Sequence, residues 1–186
     1  NYSVGRIGSA WQLNLPTPNQ SNQAATLAPA SQVVVNEWLA NPPPGADDWI
    51  ELLNRDPLHP AALRGLWLST TNTLFEIRSL SFIAPGGFAV LKADGNAGVD
   101  HVGFTLPKEG GSISVYDETA TLLSQVVYGA QLSGVTRGRW PNGGAGAMDF
   151  PNGCSPGASN YLATYTGPVL NEVMARNVAA ATDSAG

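Results

Sequence analysis

The stretch Ile113-Ser114-Val115-Tyr116-Asp117-Glu118-Thr119-Ala120-Thr121-Leu122-Leu123-Ser124-Gln125-Val126-Val127-Tyr128 decides the fold class. Its middle, Thr119–Val127, has a composition that a helix would accept. The run Val126-Val127-Tyr128 argues the other way, because β-branched and aromatic side chains lose rotamer freedom in a helix and pack well on a pleated surface. Two apolar runs, Ile113–Tyr116 and Leu122–Tyr128, then flank the polar stretch Asp117–Ala120, and the whole reads as a β-hairpin.

The same pattern extends outward. Val33–Leu39 is an apolar run stopped by Asn41-Pro42-Pro43-Pro44-Gly45. Trp49–Leu53, Leu63–Leu68, Leu74–Ile77, Phe82-Ile83, Phe88–Leu91 and Val102–Leu106 are further short runs separated by turn residues. Turn signals recur every ~8–12 residues and no 3.6-residue period is sustained, which predicts an antiparallel β-sandwich or barrel.

Three signatures occur twice, in the same order. Gly5-Arg6, Thr17-Pro18-Asn19-Gln20-Ser21-Asn22 and Val35-Asn36-Glu37 are followed by Gly138-Arg139, Ser155-Pro156-Gly157-Ala158-Ser159-Asn160 and Leu170-Asn171-Glu172. The spacing of about 135 residues is that of a whole domain rather than of a solenoid unit. Residues 1–24 therefore read as the end of a preceding domain, 25–31 as a linker and 32–162 as one complete unit. Tyr161–Thr166 reads as a second linker, and 167–186 as the start of a third unit. Strands separated from their sandwich carry unpaired backbone groups, so residues 1–24 or 167–174 are expected to add to a sheet edge of this domain or of a neighbouring copy.

Composition narrows the function. Charged residues make up 12% of the chain, against roughly 25% in typical soluble domains. The net charge is −5 and Lys92 and Lys108 are the two lysines, which disfavours binding to a phosphate backbone. No apolar run reaches membrane-spanning length. Cys154 is the single cysteine, so no intrachain disulfide forms, and it reads as a small loop residue.

The complete unit resembles the lamin tail domain family. The matching pieces are Val34-Val35-Asn36-Glu37, Asp48-Trp49-Ile50-Glu51-Leu52-Leu53-Asn54, Leu63-Arg64-Gly65-Leu66-Trp67-Leu68 and Ala84-Pro85-Gly86-Gly87-Phe88-Ala89-Val90-Leu91, then Gly138-Arg139-Trp140-Pro141-Asn142-Gly143 and Ser155–Asn160, in the family's order. The resemblance implies an immunoglobulin-like antiparallel β-sandwich and a non-catalytic structural or interaction module. No heptad-repeat rod accompanies the domain, so the likeness is to the bacterial type, found in exported or cell-surface proteins. The expected partners are other protein domains or neighbouring repeats.

Individual residues carry further expectations. Alternation puts Glu37 on the face of Val35 and Leu39, and a carboxylate there needs a partner. The co-recurring Arg139 suggests a structural ion pair, with Glu51 as a competing acceptor. General acid–base catalysis by Glu37 and Glu51 would need a cleft and a raised pKa. Asp94, Asn96 and Asp100 alternate with glycines in a spacing that can wrap Ca²⁺, although no helix flanks them and a polar loop has the same composition. No other cofactor is expected. His59 and His101 stand in loop contexts without metal-ligand spacing, and no nucleophile elbow is present. Trp38, Trp49 and Trp67 lie in strand runs and read as core, whereas Trp140 is a candidate for glycan stacking. The alternative function is a glycan- or Ca²⁺-binding accessory module of an exported hydrolase.

Overall fold

Val33-Val34-Val35 begins a strand that is buried along all of its length, as a central strand covered on both faces must be. In the computed structural model, which describes residues 1–96, 98–164 and 166–168, this strand (β4, Val33–Leu39) lies in the middle of a five-stranded antiparallel sheet. Its neighbours are β5 (Trp49–Asn54) and β13 (Thr136–Arg139), and the outer strands are β10 (Phe88–Lys92) and β14 (Ala147–Phe150). A four-stranded sheet packs against it, in the order β12 (Leu122–Gly129), β11 (Gly110–Tyr116), β7 (Trp67–Ser69), β8 (Leu74–Glu76). The chain is thus an all-β antiparallel sandwich. A short pair, β6 (Ala61–Ala62) with β9 (Phe82–Ile83), completes it.

The core lies between the two sheets. Val35, Trp38, Ile50 and Leu52 enter from the first sheet, and Leu68, Ile113, Val115 and Val126 from the second. Each large side chain buried this way is worth about 1.5–3 kcal/mol. Trp38 meets Tyr128 across the gap at a ring separation of 5.9 Å, and Val35 N donates to Ser124 Oγ at 3.2 Å.

The hairpin that decided the fold class forms as a hairpin. Residues of β12 alternate between exposed and buried, the signature of a half-covered strand. The Asp117 carboxylate accepts from the backbone N–H groups of Thr119 and Thr121 at 2.8 and 2.9 Å, and Ala120 takes a left-handed φ of 62° to close the turn.

Elsewhere the structure departs from simple alternation. The register of β4 against β5 shifts between Val35 and Glu37. The extra residue of this bulge turns both Val35 and Trp38 into the core and sends Glu37 to the opposite face with Leu39. Leu63–Leu68 is a strand only from Trp67, because Gly65 at φ 87° turns the chain and Leu66 N donates to Leu63 O. Val102, Phe104 and Leu106 are buried at alternate positions, but the segment meets the end of β10 only at a single parallel bridge, His101 with Lys92. The segment is tied down by Val102 N to Lys92 O and by Leu106 N to the Asp48 carboxylate. β13 and β14 run through a Gly- and Pro-rich stretch whose sequence resembles loop more than strand.

Residues 1–24 build their own three-stranded antiparallel sheet from β1 (Ser3–Ile7), β2 (Ala10–Leu15) and β3 (Gln23–Ala24), in that order. They do not extend an edge of the sandwich in this chain. The local reason is Gly8, whose φ of 61° permits a tight hairpin that gives β1 a partner at once. The corresponding expectation for 167–174 falls, from residue 169 onward, outside the described residues.

Candidate functional site

The Asn36-Glu37 signature leads to a closed carboxylate cluster. The bulge places Glu37 directly opposite Glu51, and both side chains are 0% exposed. Such a pair requires donors. Asn36 Nδ2 donates to Glu51 Oε1 at 2.9 Å, and Gly157 N donates to Glu51 Oε2 at 2.7 Å. Ser155 N donates to Glu37 Oε1 at 3.4 Å, and the Ser155 hydroxyl lies 3.0 Å from Glu37 Oε2. The donors come from Ser155–Asn160, which lies over this face of the sheet. Its turn is closed by Ala158 N to Ser155 O and needs Gly157 at φ 83°.

Three asparagines lock the segment in place. Asn142 Oδ1 accepts from Asn160 N at 3.0 Å, Gly143 N donates to Asn36 Oδ1 at 2.9 Å, and Asn160 Nδ2 donates to Arg139 O at 2.9 Å. Burial raises the pKa of both glutamates. For Glu51, desolvation outweighs the hydrogen bonds from Asn36 and Gly157, the neighbouring Glu37 charge adds to it, and the result is about 7. A carboxyl poised there has the pKa of a general acid or base, yet in this structure no substrate atom can reach either side chain. What the geometry provides is a latch between β4, β5 and the closing segment.

Arg139 is not the partner of Glu37, contrary to the expected ion pair. Gly138, not Arg139, lies opposite Glu37 in the β13–β4 ladder, so the Arg139 side chain leaves on the other face. There its guanidinium donates to Val35 O at 2.7 Å, Gly144 O at 2.6 Å and Gln125 O at 3.1 Å. It fastens β4, the loop after β13 and β12 of the second sheet together through backbone oxygens. Lysine cannot match this planar fork of donors.

Part of this arrangement is present twice. In the first hairpin Asn22 Nδ2 donates to Arg6 O at 2.9 Å, as Asn160 does to Arg139 O. Both preceding glycines are kept clear by that asparagine. A Cβ on Gly138 would lie 2.7 Å from Asn160 Nδ2, and one on Gly5 would lie 2.8 Å from Asn22 Nδ2. The difference is on the far side. Gly138 packs against Asn36 O and Glu37 Cγ of β4, whereas β1 has no strand beside it except β2 among the described residues.

The other candidates are dispersed. Asp94 Oδ1 accepts from Asn96 N and Asp94 Oδ2 from Asn96 Nδ2, each at 3.0 Å, and His101 Nδ1 is 2.9 Å from Asp94 Oδ2. Asp100 stands at the opposite ring nitrogen of His101, 3.5 Å away. Asp94 and Asp100 therefore flank the imidazole while Asn96 bonds Asp94, and the three do not converge on a common point. The hydrogen bonds from Asn96, then those from His101, hold the Asp94 carboxyl below the usual range. His59 pairs with Asp56 at 3.3 Å. Among the described residues no hydroxyl or thiol is bonded to either imidazole, and Cys154 is exposed. Trp140 is 41% exposed and packs edge-on against buried Phe150. Trp38 is core as expected, but Trp49 and Trp67 are only half-buried.

Sequence reasoning missed Ser155 and Gly157 as partners of the buried carboxylates, and Asn142 and Asn160 as the residues that hold the closing segment in place. The recurrence of a terminal Ser-Asn, Ser21-Asn22 and Ser159-Asn160, was the available signal. Among the described residues no helix is long and apolar enough to cross a membrane. No known family model matches this chain, and no curated protein does.

Proposed function

We propose that the chain is a non-catalytic structural and interaction module from a tandem array of lamin-tail-like domains, associating with neighbouring repeats or other protein domains by strand pairing. The observation that carries this is the duplicated asparagine clasp. The first hairpin has the Gly-Arg strand and the Asn22 bond of the complete unit, but among the described residues β1 has no Asn-Glu strand beside it such as lies beside Gly138. The same hairpin exposes Val4 and Trp11 at 53% and 56%, apolar surface of a kind that a partner strand would cover. The closed carboxylate latch fits a structural role. The setting proposed is an exported or cell-surface bacterial protein, on the sequence resemblance alone.

Sedimentation equilibrium of the 186-residue chain tests this. Reversible association is expected with Kd on the order of 10 μM, weakened tenfold or more by Val4→Lys, which puts a charge on the β1 edge. A chain that stays monomeric up to several hundred micromolar (roughly a 5 kcal/mol ceiling) would defeat the proposal.

A further inference from the structure

The outer face of the four-stranded sheet carries a feature that the latch and the hairpin do not use. Leu68 of β7 is fully buried in the core, so its neighbours Trp67 and Ser69 face solvent. Trp67 lies directly opposite Tyr116 of β11 on one side and Glu76 of β8 on the other. The three side chains form a row across three strands.

Two depressions meet at this row. One, of about 630 Å³, lies against Trp67 and Tyr116 and is walled by the Thr70–Leu74 loop and Glu118. The other, of about 450 Å³, lies beyond Trp67 towards Glu76, Arg78 and His101. Both volumes fall in the range of small-ligand sites, roughly 300–1,000 Å³. Trp67 and Leu74 line both, so the indole stands in the middle of an extended groove.

We propose that this groove binds a neutral oligosaccharide, with Trp67 as the stacking platform. A sugar ring presents C–H groups on its faces and hydroxyls around its rim. The half-buried, rigid rings of Trp67 and Tyr116 suit the faces. The Thr71 and Thr73 hydroxyls, the Asn72 amide and the Glu118 carboxylate suit the rim, since together they offer paired donors and acceptors. Among the described residues none of these four side chains is hydrogen-bonded within the chain. A purely apolar ligand would dehydrate them without replacement bonds, at a cost in affinity. Charge selects among sugars. Glu76 and Arg78 neutralise each other at 2.6 Å, which leaves the Glu118 carboxylate to disfavour an anionic sugar. The binding tryptophan is thus Trp67 and not Trp140. This site stands or falls independently of strand pairing at β1.

Calorimetric titration of the whole chain with cellohexaose, xylohexaose and mannohexaose, and with a trigalacturonate, tests the assignment. At least one neutral hexasaccharide is expected to bind, and the uronate more weakly than any that binds. Trp67→Ala should weaken binding at least tenfold, Asn72→Ala several-fold, and Trp140→Ala not at all. Melting temperatures accompany each variant. Should Trp67→Ala fail to fold, Asn72→Ala and Thr71→Ala, both on the exposed loop, decide the matter. No heat with any neutral hexasaccharide, tighter binding of the uronate, unchanged binding in the loop variants, or a loss in Trp140→Ala would each overturn the proposal.

Discussion

Glu51 shows how one residue's surroundings set both its charge state and its contribution to stability. Its carboxyl is pushed up to about 7 by burial, from an ordinary 4.5. The folded protein therefore holds this proton more tightly than the unfolded chain does. Stability linked to it is fully present below pH 4.5 and is lost as pH rises through 7, by ~3 kcal/mol at full ionisation. Glu37 is shifted in the same direction and adds to the trend. The expected outcome is a melting temperature that falls by several degrees between pH 5 and 8. Glu51→Gln, which cannot ionise, should flatten most of that fall. An unchanged pH profile in the variant would show that Glu51 does not ionise in this window. Glycine at 138 is the counterpart at the same scale: its missing side chain is what lets Asn160 and Glu37 approach β13.

At the scale of the element, β4 is the strand on which everything else depends. It pairs on both sides, its bulge separates the core residues Val35 and Trp38 from the latch residue Glu37, and Arg139 bonds its carbonyl oxygen at Val35. Backbone hydrogen bonds this deeply enclosed open only with global unfolding. Hydrogen exchange should therefore find the amides of Val33–Leu39 among the slowest, with those of β1 and β3 faster by orders of magnitude. Comparable protection in β1 would mean that the first hairpin is held by more than its own three strands. The strand itself was legible in the sequence to the residue, because Val33-Val34-Val35 and Trp38-Leu39 stand just before the turn signal at Asn41–Gly45. The bulge was not. Alternation assumes an unbroken ladder, and the extra residue at Asn36 is stabilised by Gly143 and Glu51, which are remote in sequence. The Val102–Leu106 run shows the converse, since its apolar alternation was visible but β10 ends at Lys92, where the pairing stops after one bridge.

At the scale of the molecule, the core cluster between the sheets begins at Ala28 and contains no residue of the first hairpin. The sandwich should then fold without that hairpin. Removal of residues 1–24 is expected to change the melting temperature by no more than ~2 °C, and a loss beyond ~5 °C would show that the hairpin buttresses the sandwich. The sequence by itself determined the class of fold and the recurrence of three short signatures. Short apolar runs, turn residues and β-branched composition act locally, and a repeated signature is visible without any contact being known. It also marked Glu37 and Arg139 as residues with work to do, through their recurrence. Only the tertiary structure decided whom they serve. Glu37 turned to Ser155 and Arg139 to three carbonyl oxygens, because strand parity, fixed by which residues face one another across the ladder, put the two side chains on opposite faces of the sheet. The same parity turned Trp67 outward beside Tyr116, where its place in a strand run had suggested core.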